Sequence, residues 1–554
     1  MGQRDRSNPT LDSKKADRRV NKSEDSVFTD NALKRVYRHF DSERGHEPRG
    51  WLWHRHNTSP RDVLFQQPFT ATRDAMASSP VHVSLTPLDH LHRPNYIKIC
   101  YWIPLAPTAQ ARDVYEYLGA GLRKTFHQMP WLGGKVHLQS PETPGWRPGQ
   151  RELRYEAWEA EGPVPPQLVF KELVSELSYT EWKDEGFPSD AFPDEELLQV
   201  PIEGDMEAGC DIWAAQTSFI PGGLILVMST CHAAIDGTGM VIVMKAWADA
   251  CRGEDISESF PPETYDRSLL DTLWEQEHKE GAANGAEEPV LDDWTRGLVG
   301  LDASGTDTGK TGDWAKPSTA KAMHKTFYLS AASLAALQAQ VKEDTQSDSA
   351  LSISDIITAL MWRGSVRAMS KIAGGPLAAD SVLEGAVNGR LDFSQNLHPA
   401  YLGNTTFYNQ AKLPLDSVVN PAVPLARLAE AVRAGAARCN SATLTAAYGL
   451  LRATPDYNAD VQPRFRRSHG ADMLISNLLV FPVDAIAFGD DNLFANSGKA
   501  EALRCYLGLF NDYCRCHLVL PKRPGGVELT INLKEDEMAA LEADDEWNAH
   551  CLTL

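Results

Sequence analysis

The residues best suited to chemistry are His232 and Asp236, four positions apart in His232-Ala233-Ala234-Ile235-Asp236-Gly237. Histidine titrates near neutrality, so it can take a proton from a hydroxyl or amine and return it later in the cycle, the work of a general base. A carboxylate four residues on can share that work or shape the corner. On spacing alone, a hydrogen-bonded core histidine is the commoner outcome, because Asp-Gly is an ordinary turn dipeptide. The flanking segments sharpen the choice. Leu224 to Cys231 is an almost unbroken apolar run behind Pro221-Gly222-Gly223, the pattern of a strand buried on both faces. Met240, Val243, Met244, Trp247 and Cys251 recur at helical spacing, with Thr238 as the expected N-terminal cap and Gly253 as the stop. His232 is thus expected at a strand-to-helix corner, its backbone anchored in a core and its side chain facing a cavity. Asp236 and Gly237 would make the turn, glycine supplying a positive φ.

The elements that must hold this corner lie in a chain of 554 residues, more than one hydrophobic core organises, so two domains are expected. A formal net charge of −21 argues against a nucleic-acid partner, since a phosphate backbone needs a basic footprint. Nine cysteines, an odd number without a Cys-x-x-Cys pair, read as reduced thiols of a cytoplasmic protein. The close pair Cys514 and Cys516 reads as two strand residues on one face, so no metal site is expected. No apolar run approaches the roughly 18 to 20 residues of a membrane span. Residues 1–61 mix charge, Ser and Gly with few aliphatic residues and read as a mobile extension without a signal peptide.

Regular structure is expected to begin near Val81, with a strand at 96–104 and a helix carrying Val114, Tyr117, Leu118, Leu122, Thr125 and Phe126 on one face. A strand follows at 135–138, and 170–177 reads as a helix. Residues 275–325 change character, with 277–285 and 305–312 poor in large apolar residues, and read as a linker between an N-terminal domain at 62–274 and a C-terminal domain at 326–554. Gly305 to Thr311 within it looks like a phosphate-binding loop, but it has three residues between its glycines where four are required, and no strand feeds it. In the second domain, strands are expected at 325–329, 382–387, 473–482, 514–521 and 527–533. Helices are expected through Leu334 to Val341, from a cap at Ser354-Asp355 through Trp362, over 425–437 and over 535–541.

In this order the landmarks resemble the acyl-CoA-dependent acyltransferases of the BAHD family, in particular fungal secondary-metabolite members of the trichothecene O-acetyltransferase type. That family lies within the superfamily of chloramphenicol acetyltransferase and the condensation domains. The resemblance is carried by Leu85-Thr86-Pro87-Leu88-Asp89, by the full His-x-x-x-Asp-Gly motif at 232–237, by Ser354 to Arg363, by Asn388-Gly389-Arg390, by Gly403-Asn404 and by the hairpin around His517 to Leu529. The family's Asp-Phe-Gly-Trp-Gly motif survives only as Phe488-Gly489. The second histidine common in condensation domains is Cys231 here.

The resemblance implies an α/β protein of two similar chloramphenicol-acetyltransferase-like domains, each a mixed sheet with flanking helices, and a solvent channel between them with His232 at its middle. It implies transfer of an acyl group, above all acetyl, from acyl-CoA to a hydroxyl of a secondary metabolite, with His232 as general base. Asp236 would be structural, orienting the corner through a salt bridge to Arg390, and Gly237 would serve the turn. Ser476 is the candidate oxyanion donor; its hydroxyl could equally cap nearby backbone. Acyl-CoA would be a co-substrate, with no tightly bound cofactor and no metal, and the partners would be the acceptor alcohol and acyl-CoA, with no membrane and a monomeric state. Two other readings stay open: a cyclisation or intramolecular condensation without CoA on the same fold, and a non-catalytic binding paralogue.

Overall fold

The computed structural model describes residues 80–283, 291–301, 322–345, 351–373, 379–463, 471–505 and 515–554. The extension at 1–61, the segment Gly305 to Thr311 and Cys514 lie outside the described residues. The first half supplies β1 (Val81–Ser84), β2 (Tyr96–Pro104), β3 (Lys135–Leu138), β4 (Arg151–Tyr155), β5 (Leu168–Glu172), β6 (Cys210–Asp211), β7 (Trp213–Ile220) and β8 (Gly223–Cys231). The second supplies β9 (Ala322–Ser330), β10 (Asp380–Asn388), β11 (Thr406–Pro414), β12 (Met473–Asn477), β13 (Ala502–Cys505), β14 (Cys516–Val519), β15 (Gly526–Lys534) and β16 (Cys551–Thr553). They form a five-stranded sheet in the order β13-β2-β8-β7-β5, a seven-stranded sheet in the order β11-β10-β12-β14-β15-β9-β16, and a small sheet β1-β4-β3-β6.

β8 carries the corner because all nine of its residues are buried, flanked by β2 and β7 in antiparallel register. One face of that sheet packs on α1 (Ala111–Gln128) and α2 (Gly237–Cys251), where Val114, Leu118, Leu122 and Phe126 meet Met240, Met244 and Trp247. The Trp247 indole also donates to the Leu118 carbonyl at 2.8 Å. Three further helices are α3 (Leu269–Ala283), α4 (Ala331–Asp344) and α5 (Ile353–Ala373). α4 and α5 share a second core with α6 (Leu425–Ala437) and one face of the large sheet, while α3 packs with α7 (Ser441–Ala453); the chain closes with α8 (Glu535–Glu542) and β16.

Several expectations are corrected. Residues 168–172 form β5, parallel to β7, instead of a helix, because Leu168-Val169-Phe170 satisfies its backbone on the sheet edge. The cap of α2 is Asp236, whose carboxylate accepts from the Gly239 amide, and not Thr238. Gly237 is the first helical residue and does not have a positive φ; Gly253, at +78°, does stop the helix. The cap of α5 is Ser352, bonded reciprocally with Asp355, and not Ser354. The strand expected at 473–482 ends at Asn477, where the side-chain oxygen takes the Leu479 amide and turns the chain.

The two halves are also threaded together. β13 comes from the second half yet pairs with β2, from Ala502 opposite Trp102 to Cys505 opposite Ile99. From it the fully buried Arg504 donates to the carbonyls of Gly186 and Phe187 in the first half and to the Glu528 carboxylate on β15.

Candidate active site

His232 follows the last residue of β8, and its main chain is held from both sides. Its amide donates to the Asn95 carbonyl at 2.8 Å, and its carbonyl accepts from the Asn404 side chain at 2.9 Å. Asn404 is fixed in turn by Asp89, which accepts from its side-chain nitrogen at 2.7 Å and from its amide at 3.2 Å. Arg267 joins the same network, donating to the Ala234 carbonyl at 2.7 Å and pairing with Asp89 at 3.4 Å. Asp89 belongs to a short capped turn in which Thr86 and Asp89 bond reciprocally. Three distant segments thus stitch one corner, and the side chains of Thr86, Asp89, Arg267 and Asn404 are buried.

Asp236 turns away from this corner. Its two oxygens receive both terminal nitrogens of Arg390, at 2.8 and 2.9 Å, together with the amides of Gly239 at 2.8 Å and Thr405 at 3.0 Å. Burial opposes its charged form, but the Arg390 guanidinium and the two amides outweigh burial and hold the carboxyl below its usual range. Arg390, only 1% exposed, spends its remaining donors on Tyr401, Gly403, Asn388 and Thr405. This is a bidentate, charge-assisted pair between the halves of the chain.

His232 faces a cavity of about 600 Å³ lined by both halves. Its Nδ1 is buried. Ile97 and Ile99 of β2, Leu383 of β10 and Leu474 of β12 give the walls their apolar character, and Ser476 and Gly237 line the same space. Charged groups line the same cavity, among them Asp355, Asp392 and Arg433. Arg433 of α6 pairs with Asp355 at the start of α5 at 2.6 Å, and burial raises the Asp392 carboxyl. Lys98 of β2 also borders the cavity; its ammonium is bonded to the Val200 carbonyl, and burial lowers it to about 8.

Sequence reasoning missed His92. It is 3% exposed and stacks on His232 with ring centroids 3.5 Å apart and planes 10° apart. The one local signal is His90-Leu91-His92 just ahead of β2; the two histidines differ completely. His90 bonds to the Thr86 carbonyl through Nδ1 and accepts the Arg151 amide at Nε2, and burial with the Arg151 charge holds it down at about 3. Asn404 and Asp89 were noted as landmarks, yet their joint hold on the His232 carbonyl depends on tertiary contact.

A histidine corner at the seam of two mixed sheets, facing a shared cavity, is the arrangement of a two-domain α/β transferase. A model described as the Transferase family matches residues 197–548, and the chain belongs to that family. A second model, the trichothecene 3-O-acetyltransferase-like N-terminal domain, matches residues 95–251. The chain is 27% identical over 500 residues to the isocyanide synthase-NRPS hybrid crmA of Aspergillus fumigatus, a match covering 84% of this chain but 31% of that protein's length. Eremophilane O-acetyltransferase ORF8 of Penicillium roqueforti is 27% identical over 402 residues, covering 69% of this chain and 81% of that protein. The crystal structure of F. sporotrichioides TRI101 complexed with coenzyme A and T-2 is similar with a TM-score of 0.65 at 20% identity, over 85% of this chain and 99% of that one. The fold is therefore the expected pair of chloramphenicol-acetyltransferase-like halves. Among the described residues, no helix is long and apolar enough to cross a membrane.

Proposed function

We propose that the protein moves an acyl group, above all acetyl, from acyl-CoA to a hydroxyl of an apolar small molecule, with His232 as general base. The observation that carries this reading is His232 itself, anchored by its backbone on two sides with its ring turned to a cavity that both halves line. The named relatives include O-acetyltransferases, and the structure of TRI101 with both coenzyme A and T-2 supports a coenzyme A donor and a second small molecule meeting on this fold.

In the proposed reaction, a ring nitrogen of His232 takes the acceptor hydroxyl proton as the oxygen attacks the thioester carbonyl. The C–S bond of the tetrahedral intermediate then breaks, and the imidazolium returns its proton to the departing thiolate. A positioned base of this kind is worth about 10² to 10⁴ in rate. Ser476 is proposed as a donor to the oxyanion, and its place on the cavity wall supports that role. Asp236 and Arg390 act through the corner's geometry, and Gly237 opens the first turn of α2 at the cavity wall. Division into units at 62–274 and 326–554 joined through 275–325 is proposed, with β13 crossing from the second unit into the sheet of the first. The eight described cysteines are free thiols, which supports the cytoplasm, and a monomer is proposed.

The test is acceptor-dependent release of free thiol from a panel of acyl-CoAs with apolar alcohols, wild type beside His232→Ala. Release that falls by at least about 10² in the variant is expected. No release by wild type with any thioester, while the protein still transforms a metabolite, would overturn acyl transfer in favour of a CoA-independent condensation.

A further inference from the structure

A general base works only when its ring is held at the correct angle to the hydroxyl it deprotonates, and in triad-type sites a third group supplies that orientation. The nearest carboxylate in sequence, Asp236, is unsuited to this. Both its oxygens are engaged by Arg390, Gly239 and Thr405, inside the seam. What meets the imidazole face of His232 is a second imidazole. His92 lies parallel to it at a centroid distance of 3.5 Å, closer than most aromatic stacks, and both residues line the cavity.

His92 is itself rigidly mounted. Its carbonyl accepts from the buried Arg151 guanidinium at 2.6 Å, and that guanidinium also reaches the carbonyl of Asp89 at 3.3 Å. Its ring is backed by Tyr408 of β11, at a centroid distance of 5.9 Å and a plane angle of 57°, with the phenol oxygen 3.4 Å from His92 Nδ1. The plate against which His232 rests is therefore fixed from β4 on one side and from the second half of the chain on the other. Asp89 links the two supports, because it also holds the Asn404 side chain that fixes the His232 carbonyl. One buried network sets both the backbone and the ring plane of the base.

We propose that His92 is a positioning residue for the acyl-transfer reaction, fixing the ring plane of His232 by face-to-face stacking. The proposal rests on His232 being the base. It requires a flat ring at position 92 and does not require that ring to carry a proton. A phenyl ring should therefore replace it, and an aliphatic side chain of similar bulk should not.

The experiment compares His92→Phe, His92→Leu and His92→Ala with wild type in thiol release, separating kcat from KM, and in ¹H–¹³C spectra of protein labelled at the histidine Cε1. The His232 signal is assigned by its loss in His232→Ala. The alanine and leucine variants should lose about tenfold or more in kcat, with KM for both substrates within about twofold, because a misplaced reacting group is costly even at small displacements. The phenylalanine variant should recover to within about threefold of wild type. The upfield ring-current displacement of the His232 signal should be present in wild type and His92→Phe and absent in His92→Ala. Should the alanine variant not fold, the contrast of phenylalanine with leucine decides. Equal rates in those two, an effect confined to KM, or a His232 signal that ignores the residue at 92 would each overturn the proposal. If wild type releases no thiol at all, acyl transfer fails, and the spectra alone decide whether the stack sets the ring.

Discussion

Asp236→Asn isolates the ion pair that ties the two halves at the reacting histidine. The carboxylate accepts four donors, two from Arg390 and one each from the Gly239 and Thr405 amides, at 2.8 to 3.0 Å. An asparagine in the same rotamer offers one acceptor oxygen and one NH₂ group. Whichever way the amide turns, two of the four donors face an NH₂, and Arg390, 1% exposed, loses its carboxylate partner. Breaking a buried pair from one side costs about 3 to 5 kcal/mol. With an unfolding entropy of about 2.1 cal/mol/K per residue, 4 kcal/mol lowers the thermal midpoint by about 5 °C if the described chain unfolds as one unit, or about 10 °C if a half of some 200 residues unfolds alone. Differential scanning calorimetry reads the shift, and thiol release reads the parallel loss of activity as the corner carrying His232 relaxes. Asp236→Asn combined with Arg390→Met, which removes both charges, should be less destabilised than the sum of the single variants. A single Asp236→Asn variant that melts within about 1 °C of wild type at full activity would refute the reasoning.

Gly385 of β10 lines the cavity, and a Cβ there meets nothing within 4 Å, so Gly385→Leu should leave the thermal midpoint within a few degrees and raise KM for bulky acceptors more than for small ones. Ser476→Ala should lower kcat by about 10-fold or more with little change in the acceptor KM if its hydroxyl meets the oxyanion, and an unchanged kcat would remove it from the mechanism. His90 and His517 each accept a backbone amide hydrogen in the folded state, and both are held down at about 3. The unfolded chain takes up these protons at about 6.5 and the folded chain does not. Their contribution to stability is thus complete above that pH and falls by about 1.4 kcal/mol per unit for each as pH drops from about 6.5 toward 3. Melting temperatures measured over that window should decline, and less steeply in His517→Gln once compared at equal stability.

The histidine corner was legible because its signals are local. A nine-residue buried strand between glycine and histidine, followed by apolar residues at helical spacing, leaves little freedom for what joins them. The bounds of β2 and α6 were equally plain, since proline or polar residues flank each. Residues 170–177 were misread because Phe170, Leu173 and Leu177 fall at helical spacing, and only the exposed edge of β7 selects the strand. The identity of the α2 cap turned on a single residue, and Asp236 outcompetes Thr238 because its carboxylate can cap the helix and bind Arg390 at once. Asp89 and Asn404 stood out only as landmarks, and nothing in the sequence joined them to each other, to Arg267 or to His232, nor His92 to His232. Their partners lie up to 315 positions apart, and only the closed seam brings them together.

The crossing of β13 changes what kind of motion this enzyme can use. Swinging the halves apart would strip Ala502 to Cys505 from β2 and pull Arg504 off either the Gly186 and Phe187 carbonyls or Glu528. The molecule is latched, and entry to the cavity cannot rely on the halves swinging apart. The latch also makes the two halves poor candidates for separate production. An isolated first half would present the bare edge of β2 from Ile99 to Trp102 to any passing strand, a ready template for aggregation. Two halves made together would carry the matching strand and could find each other again across that same edge.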